Sequence, residues 1–307
     1  MDFDTVASMP NIGRRGMAFW NKWIKPDAAE ATAPAPAAEQ SAAPVVQDGD
    51  DATSQPAERA AELVEAAAPD APPEPVDPLV AALEAKHGDM LGALKSLSRR
   101  IDFNDKAEIS LVYFAYGARV GDKGFELLRE MESLEVLDIT DSAITDAGMA
   151  HIAAIPNLRE LIADITAIGD SGVRFLEEKH TLRRLSLAAT KVTDIGLQHI
   201  GKLTELESLN LSGTAVSNHG LVHLAKLTGL WALDLSENNI RDDGIEHLES
   251  MSKLRTLTLN DTRISNKSAR FLLGHKNMLY LNIKRTFITD DWIARMIESM
   301  PEAAINR

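Results

Sequence analysis

The chain has 307 residues and no cysteine, which excludes disulfide staples and thiolate metal sites. Its formal net charge of −14 is unevenly spread: residues 1–25 carry four basic and two acidic residues (+2), residues 26–77 carry one basic and twelve acidic residues (−11), and residues 78–307 carry the remaining −5. A mildly acidic folded part argues against a nucleic-acid groove. No apolar run reaches the roughly 18–20 residues that a membrane-spanning helix needs.

Residues 1–25 contain an amphipathic motif. On a helical projection of residues 13–25, apolar and basic side chains fall on opposite sides: Phe19, Trp20, Trp23 and Ile24 against Arg14, Arg15, Lys22 and Lys25. This pattern is typical of a docking helix that lies in a membrane interface or fits a groove on a partner protein. Two alternatives stay open: the helix packs back on the rest of the chain, or it is an organelle presequence, which Asp2 and Asp4 disfavour.

Residues 26–77 are predicted to be a disordered acidic linker. They hold nine of the thirteen prolines, many alanines and few larger aliphatic residues, a composition that cannot bury a core. No apolar core of an export signal follows the arginine pair in the N-terminal motif. We therefore expect a cytoplasmic protein, with peripheral attachment to an anionic membrane surface as an open alternative.

Residues 78–109 are predicted to form a helical cap on the N-terminal side of a repeat domain, 110–307. The cap is expected because apolar residues recur there at helical spacing: Leu79 and Leu83, then Leu91, Leu94, Leu97 and Ile101.

Seven copies of one unit follow, each 24 residues long and without insertions. They align on an opening apolar residue: Leu134, Leu158, Leu182, Leu206, Leu230, Leu254 and Met278. An earlier, degenerate unit is expected to start at Ser110, with Tyr113 and Ala115 in the places of the two strand leucines. A period of this length indicates a solenoid, in which each unit buries its apolar side only against its neighbours.

Each unit has two internal periods. Leu182, Leu185 and Leu187 end in the alternation of a short strand, which we expect to begin about one residue after the opening position. A short polar residue such as Thr190 follows and is expected to bond backbone groups at the turn. Asp194 and its counterparts are predicted to be helix N-caps, followed by glycines such as Gly196 at the helix entry.

These units resemble bacterial 24-residue leucine-rich repeats with the pattern T-x-[IV]-[ST]-D-x-G-[LMI], similar to GALA-type repeats. The resemblance covers residues 110–301. It implies an α/β leucine-rich repeat solenoid, with a curved parallel sheet inside and helices outside, here preceded by a disordered N-terminal extension. Such repeats serve mostly in protein recognition, and some are ubiquitin-ligase substrate receptors fused to an F-box, whose Leu-Pro signature is missing from residues 78–100.

The concave face of the sheet is the predicted binding surface, because strands stack about 4.8 Å apart whereas helices need about 8–10 Å. One rim is expected to be basic and the other acidic, the latter through Asp141, Asp164, Glu237 and Asp261. Tryptophan and arginine dominate interface hot spots; the alternative is an ordinary solvated surface. The candidate binding residues are Arg159, Arg183, Arg184, Asn210, Trp231, Asp234, Arg255 and Tyr280.

Four histidines share one column on the predicted convex helices: His151, His199, His223 and His247. Because Phe175 and Phe271 occupy the same column, we interpret it as an apolar packing position rather than a metal site. We expect no metal, no cofactor and no catalytic residues.

The sequence therefore predicts a non-enzymatic adaptor that binds a protein through its concave face and docks elsewhere through its N-terminal helix. The alternative is a substrate-recognition subunit or secreted effector that works with a ubiquitin-ligase-like or other enzyme machine. At the C-terminal side, the final repeat strand around Leu281 is expected to leave an open sheet edge.

Overall fold

The computed structural model describes residues 76–307. The amphipathic motif 1–25 and all but the last two residues of the predicted linker 26–77 lie outside the described residues. The described part begins with two helices and a β-hairpin: α1 (Pro78–Ala85), α2 (Met90–Leu97), β1 (Ser98–Phe103) and β2 (Ile109–Phe114).

A ten-stranded sheet runs through residues 98–306 in strict sequence order, β1 to β10. β1 pairs antiparallel with β2, and every later pair is parallel. The remaining strands are short: β3 (Val136–Asp138), β4 (Glu160–Ile162), β5 (Arg184–Ser186), β6 (Ser208–Asn210), β7 (Ala232–Asp234), β8 (Thr256–Thr258), β9 (Tyr280–Asn282) and β10 (Ala304–Asn306).

One short helix follows each strand from β2 to β9. These are α3 (Asp122–Glu126), α4 (Met149–Ala154), α5 (Asp170–Arg174), α6 (Asp194–Ile200), α7 (Asn218–Leu221), α8 (Asp242–Ile245), α9 (Asn266–Leu272) and α10 (Asp290–Ser299). Two of them continue as 3₁₀ turns, Val222–Lys226 and Glu246–Leu248. The described residues contain no helix long and apolar enough to cross a bilayer.

The repeat assignment is confirmed, since all seven predicted segments are parallel strands. Each strand begins two residues after the aligned apolar residue rather than one. Leu182, Leu185 and Leu187 are fully buried and belong to one continuous core between the sheet and the helices. Stacking therefore buries the apolar side that a single repeat would expose.

The polar turn column behaves as predicted. The Thr190 hydroxyl donates to the Leu187 carbonyl oxygen over 2.7 Å, and Thr166 and Thr262 make the same bond three residues back. Where asparagine replaces threonine, the Asn238 amide donates across the repeat boundary to the Leu211 carbonyl oxygen, 2.7 Å away. Six of the seven column residues thus bond a backbone carbonyl at the turn, whereas the buried hydroxyl of the seventh, Ser142, has no hydrogen-bond partner in the described part of the chain.

The aspartate column does not provide the N-caps, contrary to the sequence prediction. Asp194 is the first residue of α6, and the N-cap is Thr193, whose side chain accepts from the Ile195 amide. The Asp170 carboxylate instead reaches into the next repeat, where it accepts from the Thr193 amide (2.8 Å), the Thr193 hydroxyl (2.7 Å) and the Gly196 amide (2.9 Å). This aspartate staple joins consecutive repeats at the helix entry.

The staple also explains the glycine column. A Cβ atom at Gly196 would lie 2.6 Å from an Asp170 carboxylate oxygen and 2.7 Å from a Val192 methyl carbon. The absence of a side chain at Gly196 leaves the carboxylate room to approach the amide. Ser268 occupies the same column: its amide still donates to the Asp242 carboxylate over 3.1 Å, and its hydroxyl donates a further bond to the same oxygen.

The predicted helical cap 78–109 is helical only as far as Leu97. The rest of this segment holds β1 and the turn into β2, because the sheet edge of the first repeat is covered by an antiparallel strand rather than by a helix. Asp77, the last residue of the predicted linker, belongs to this cap. It accepts from the Leu79 amide (2.9 Å) and the Gly121 amide (2.6 Å), and so supplies the staple for the first repeat.

The first repeat differs in phase from the prediction. Leu111 pairs with Val136, 25 residues later, whereas the following strands pair at 24. Val112 and Phe114 therefore fill the core in place of Tyr113 and Ala115, and Tyr113 lies on the opposite face of the sheet. A shift of one residue turns every side chain of a strand over.

The C-terminal edge is also covered, which corrects the expectation of an open strand at Leu281. After α10 the chain returns as β10, where Ile305 pairs in parallel with Leu281. Ile293 and Met296 of α10 close the core from the helix side.

Candidate protein-binding surface

The concave face is here the face of the sheet that the helices leave uncovered, formed by the first and third residue of each short strand. Its floor is more tightly packed than the sequence suggested. Small residues such as Ser186, Ser208 and Thr256 are buried, since neighbouring strands stand close enough for their side chains to cover one another. Only long side chains and the rims of the face can therefore contact a partner.

Asn210, a predicted binding residue, is one of these buried floor residues. It is 7% exposed, and its side-chain oxygen accepts from the Ser212 amide over 2.9 Å. The same bond recurs in other repeats, where Asp138 accepts from the Thr140 amide and Asp234 accepts from the Ser236 amide. The role of Asn210 is therefore to fix the backbone at the end of the strand.

Trp231, Arg255 and Tyr280 come together on the C-terminal half of the face. The register aligns Ala232, Thr256 and Tyr280 on successive strands, and Trp231 and Arg255 directly precede β7 and β8. Arg255 is exposed, and the two aromatic side chains are half-buried. A half-buried aromatic side chain is already held by its neighbours. It therefore loses little side-chain entropy on binding and suits an interface anchor.

The rim before the strands is less basic than predicted. Arg183 lies 3.4 Å from a Glu205 carboxylate oxygen and 3.9 Å from that of Glu207, so its charge is partly neutralised. Arg159 is exposed and lies beside the same rim.

Arg184 belongs to the floor of the face, where it donates to Glu160 over 2.8 Å. Glu160 is 1% exposed. Burial raises the pKa of this carboxyl, although the charge and hydrogen bond of Arg184 oppose the shift. Sequence alone gave no sign that this glutamate would be buried, because the same strand position holds residues as different as Val136, Ser208 and Tyr280 in other repeats.

The opposite rim is less acidic than predicted. Asp164 is buried and accepts from the Ser186 hydroxyl and the Ala188 amide, while Asp261 is paired with Arg285. Asp141, Glu237 and Asp261 all adopt positive φ between 58° and 59°. They occupy a turn position that has the left-handed conformation in each repeat. These residues therefore have a structural role in the turn, apart from any contact that they make with a partner.

Asp234 is half-buried in the middle of the face. Burial raises its pKa to about 6, with the hydrogen bonds from Ser236 acting in the opposite direction and the charges of Glu237 and Asp164 adding to the rise. Because the native state binds the proton more tightly than the unfolded chain, Asp234 lowers stability as pH rises from about 4 to about 6.

Asp234→Asn is therefore expected to raise the free energy of unfolding at pH 7.5 by about 1–3 kcal/mol. Asparagine can keep the bond from the Ser236 amide, as Asn210 does with the Ser212 amide in the preceding repeat. The gain should vanish below pH 4, where Asp234 is protonated in both states. Urea unfolding of both proteins at pH 7.5 and pH 3.5 measures this; a variant less stable than the wild type at pH 7.5 would contradict it.

The histidine column lies on the helical side and is only in part the packed apolar column that we expected, since Phe271 packs against the core. Phe175 is 49% exposed, and the ring of His199 contacts the Glu177 carboxylate. Among residues 76–307, no three histidine, aspartate or glutamate side chains are grouped closely enough to hold a metal ion.

Sequence reasoning missed a second cluster, at the N-terminal end of the concave face. There Arg99 of β1 contacts the Tyr113 and Tyr116 rings and forms an ion pair with Asp138 of β3. Because of the phase shift in the first repeat, Tyr113 was assigned to the core. Because residues 78–109 were predicted to be helical, Arg99 was not placed on the sheet. No periodic signal in the sequence could have placed these residues together.

Comparisons with known proteins identify the repeats. A sequence profile of the family described as "Leucine Rich repeat" matches residues 130–153 and 230–248. No curated protein matches the sequence significantly. The structure of internalin C2 from Listeria monocytogenes str. 4b F2365 is similar with a TM-score of 0.56 and 20% identity, covering 75% of this chain and 92% of that one.

Two further structures match more weakly. An internalin from the same Listeria strain, inlF, has 24% identity and a TM-score of 0.45, covering 58% of this chain and 55% of its own. A leucine-rich repeat protein of Leptospira interrogans has 19% identity and a TM-score of 0.46, covering 59% and 45%. The chain spans about half the length of these two proteins. At such identities the similarity concerns the fold.

Proposed function

We propose that this leucine-rich repeat protein is a non-enzymatic adaptor that binds a protein partner through its concave face. Leucine-rich repeat domains generally mediate protein–protein interaction. The observation that carries the proposal is that Trp231, Arg255 and Tyr280 lie on adjacent repeats, with Trp231 and Arg255 just before β7 and β8 and Tyr280 at the start of β9. An exposed arginine and two half-buried aromatic side chains on adjacent repeats are the residue types that contribute most to protein interfaces.

The N-terminal motif supplies the second half of the proposal. Residues 13–25 combine an apolar side of Phe19, Trp20, Trp23 and Ile24 with four basic residues on the other side. In this proposal they attach the cytoplasmic adaptor to an anionic membrane surface or to a second protein. The acidic segment 26–77 would be repelled from an anionic surface and would hold the repeat domain away from it.

The concave-face proposal is tested by affinity capture with the full-length protein, followed by binding of the purified captured protein to variants. Trp231→Ala and Arg255→Ala should each weaken binding at least about tenfold, since hot-spot truncation costs about 2 kcal/mol or more. Arg174→Ala, at the exposed end of α5 on the helical side, is the matched control. Equal affinity for all three variants would contradict the proposal.

The identity of the captured protein also separates the proposal from its alternative. Copurification of a catalytic subunit whose substrates depend on Trp231 would favour a substrate-recognition subunit of an enzyme machine.

Attachment to a membrane is tested by sedimentation of the full-length protein with anionic and neutral vesicles. The Trp20→Ser/Trp23→Ser variant should lose binding to both kinds of vesicle. Lys22→Gln/Lys25→Gln should weaken binding to anionic vesicles only, by about 1 kcal/mol per charge removed, and less at high salt. If the wild-type protein sediments with neither vesicle, the second-protein version of the tether is retained and the membrane version is rejected.

A further inference from the structure

A rigid arginine–tyrosine cluster occupies the N-terminal end of the concave face, away from Trp231. The Arg99 guanidinium carbon lies 5.1 Å from the Tyr113 ring centroid and 4.8 Å from that of Tyr116, and the Arg100 guanidinium carbon lies 5.7 Å from the Tyr113 ring. Contacts of this kind hold a guanidinium group in place while leaving its edge able to donate.

The cluster exists because of the phase shift in the first repeat. The strand of this repeat is offset by one residue from later repeats, yet Gly117 and Asp141 regain the 24-residue spacing and are bonded through the Gly117 amide at 3.1 Å. The extra residue falls in the segment Ala115–Tyr116. Tyr116 is 59% exposed, and its ring contacts the Arg99 guanidinium group.

The charges of the cluster are arranged by depth. Arg99 pairs with Asp138 and Arg184 pairs with Glu160, and in both pairs the acidic side chain is 2% exposed while the arginines are 36% and 25% exposed. Arg100, paired with Asp102, is 46% exposed. The carboxylates of Asp138 and Glu160 are therefore beneath the surface, so that Arg99 and Arg184 present their guanidinium groups to a partner, whereas Asp102 is 35% exposed beside Arg100.

We infer that this end of the concave face, formed by Arg99, Arg100, Tyr116 and Arg184, binds a carboxylate-rich segment of a protein partner. The inference rests on the proposed function, because it assigns a partner chemistry to part of the same face. Each guanidinium has five N–H groups, and a bidentate carboxylate occupies two of them, so donors remain for a carboxylate of the partner. The two tyrosine rings add apolar contact beside the charges.

The surroundings favour a short acidic segment over a long polyanion. A groove of about 640 Å³ at the adjoining rim is lined by Glu108, Glu130, Glu132 and Glu135, beside Lys106 and Arg159. A nucleic acid that followed the arginines would also meet these glutamates. A short peptide can place its carboxylates on the cluster without entering the groove that these glutamates line.

The test uses full-length protein and three fluorescent probes, followed by anisotropy. The probes are a twelve-residue peptide of glutamate, tyrosine and glycine, the same peptide with glutamine for glutamate, and a twelve-nucleotide oligothymidine. We expect the acidic peptide to bind at least about tenfold more tightly than the glutamine peptide, with affinity that falls as salt rises. Equal binding of the two peptides, or tighter binding of the oligonucleotide, would overturn the inference.

Variants locate the site. Arg100→Gln and Tyr116→Ala should each weaken the acidic peptide about tenfold, and Arg174→Gln on the helical side should leave its affinity unchanged. Arg99 alone is not removed, because this would strand the buried Asp138 carboxylate. The double variant Arg99→Gln/Asp138→Asn keeps the net charge, should fold, and should weaken the peptide as strongly as Arg100→Gln. Unchanged affinity in these three variants would place peptide binding elsewhere and overturn the inference.

The two proposals fail separately. If the acidic peptide does not bind but capture of a protein still depends on Trp231, the inference is overturned and the proposed function stands. If the peptide binds through Arg100 while capture is insensitive to Trp231 and Arg255, the function proposed for the C-terminal half of the face fails and the inference stands.

Discussion

Leu209→Ala is expected to lower the free energy of unfolding by about 2–5 kcal/mol. Leu209 is fully buried in β6, where it pairs with Leu185 on one side and Leu233 on the other. The truncation removes apolar burial and leaves a cavity in the middle of the array. Each repeat is stabilised only by its neighbours, so weakening a central repeat also uncouples the two halves of the domain.

Urea unfolding followed by circular dichroism measures the effect. We expect a lower midpoint and a broader transition for Leu209→Ala. Val222→Ala is the matched control, since this side chain lies exposed on the helical side and its loss should change stability by no more than about 0.5 kcal/mol. An unchanged midpoint for Leu209→Ala would show that the repeats do not share a core.

Asp170→Ala is expected to cost about 2–3 kcal/mol, although the side chain belongs to no hydrophobic core. Its carboxylate accepts three hydrogen bonds from Thr193 and Gly196 of the next repeat. Removing the acceptor leaves partly buried donors without a partner, which costs more than the bonds themselves contribute.

The control for this prediction is Asp243→Ala. Asp243 also lies in the first turn of a helix and is exposed, so its loss removes a helix-terminal charge but no staple. We expect a cost below about 1 kcal/mol. If thermal unfolding shows equal costs for the two variants, the staple does not stabilise the repeat boundary.

The staple also predicts acid sensitivity. Burial alone would raise the pKa of Asp242, but hydrogen bonds from the hydroxyl and amide groups of Ser265 and Ser268 outweigh it and lower the pKa. The stability that this carboxylate contributes is present above its unfolded pKa, about 4, and is lost as pH falls through the lower folded value. Asp234, with its raised pKa, has the opposite sign.

The strands and helices of the seven regular repeats could be predicted from the sequence, because the same pattern occurs seven times. The leucine column that includes Leu185 and Leu209 recurs every 24 positions, and this recurrence indicates a buried strand residue. The aspartate column was equally visible, but its role was misassigned, because an aspartate at a helix start is most often a cap. Its actual partner, such as Gly196 for Asp170, lies 26 residues away and only stacking brings the two together.

The ends of the array could not be predicted in the same way, because each occurs once. The strand Ser98–Phe103 has two arginines and an aspartate and no alternating apolar pattern, so it reads as the end of a helix. The 24-residue alignment predicted Tyr113 in the core. Because the first repeat contains one extra residue, Tyr113 lies on the concave face in the structure. Of the predicted binding residues, Trp231, Arg255 and Tyr280 share one surface region, whereas Asn210 is buried and Arg183 is paired.

The central claim is that a protein partner occupies the concave face, and cysteine labelling tests it most directly. The chain has no cysteine, so single-cysteine variants report one position each. Ser212 lies half-buried just after β6 on the concave side, and Gln198 is exposed on the helical side in α6. We expect the captured partner to slow maleimide labelling of Ser212→Cys severalfold and to leave Gln198→Cys unaffected. Protection of Gln198→Cys without protection of Ser212→Cys would contradict the account.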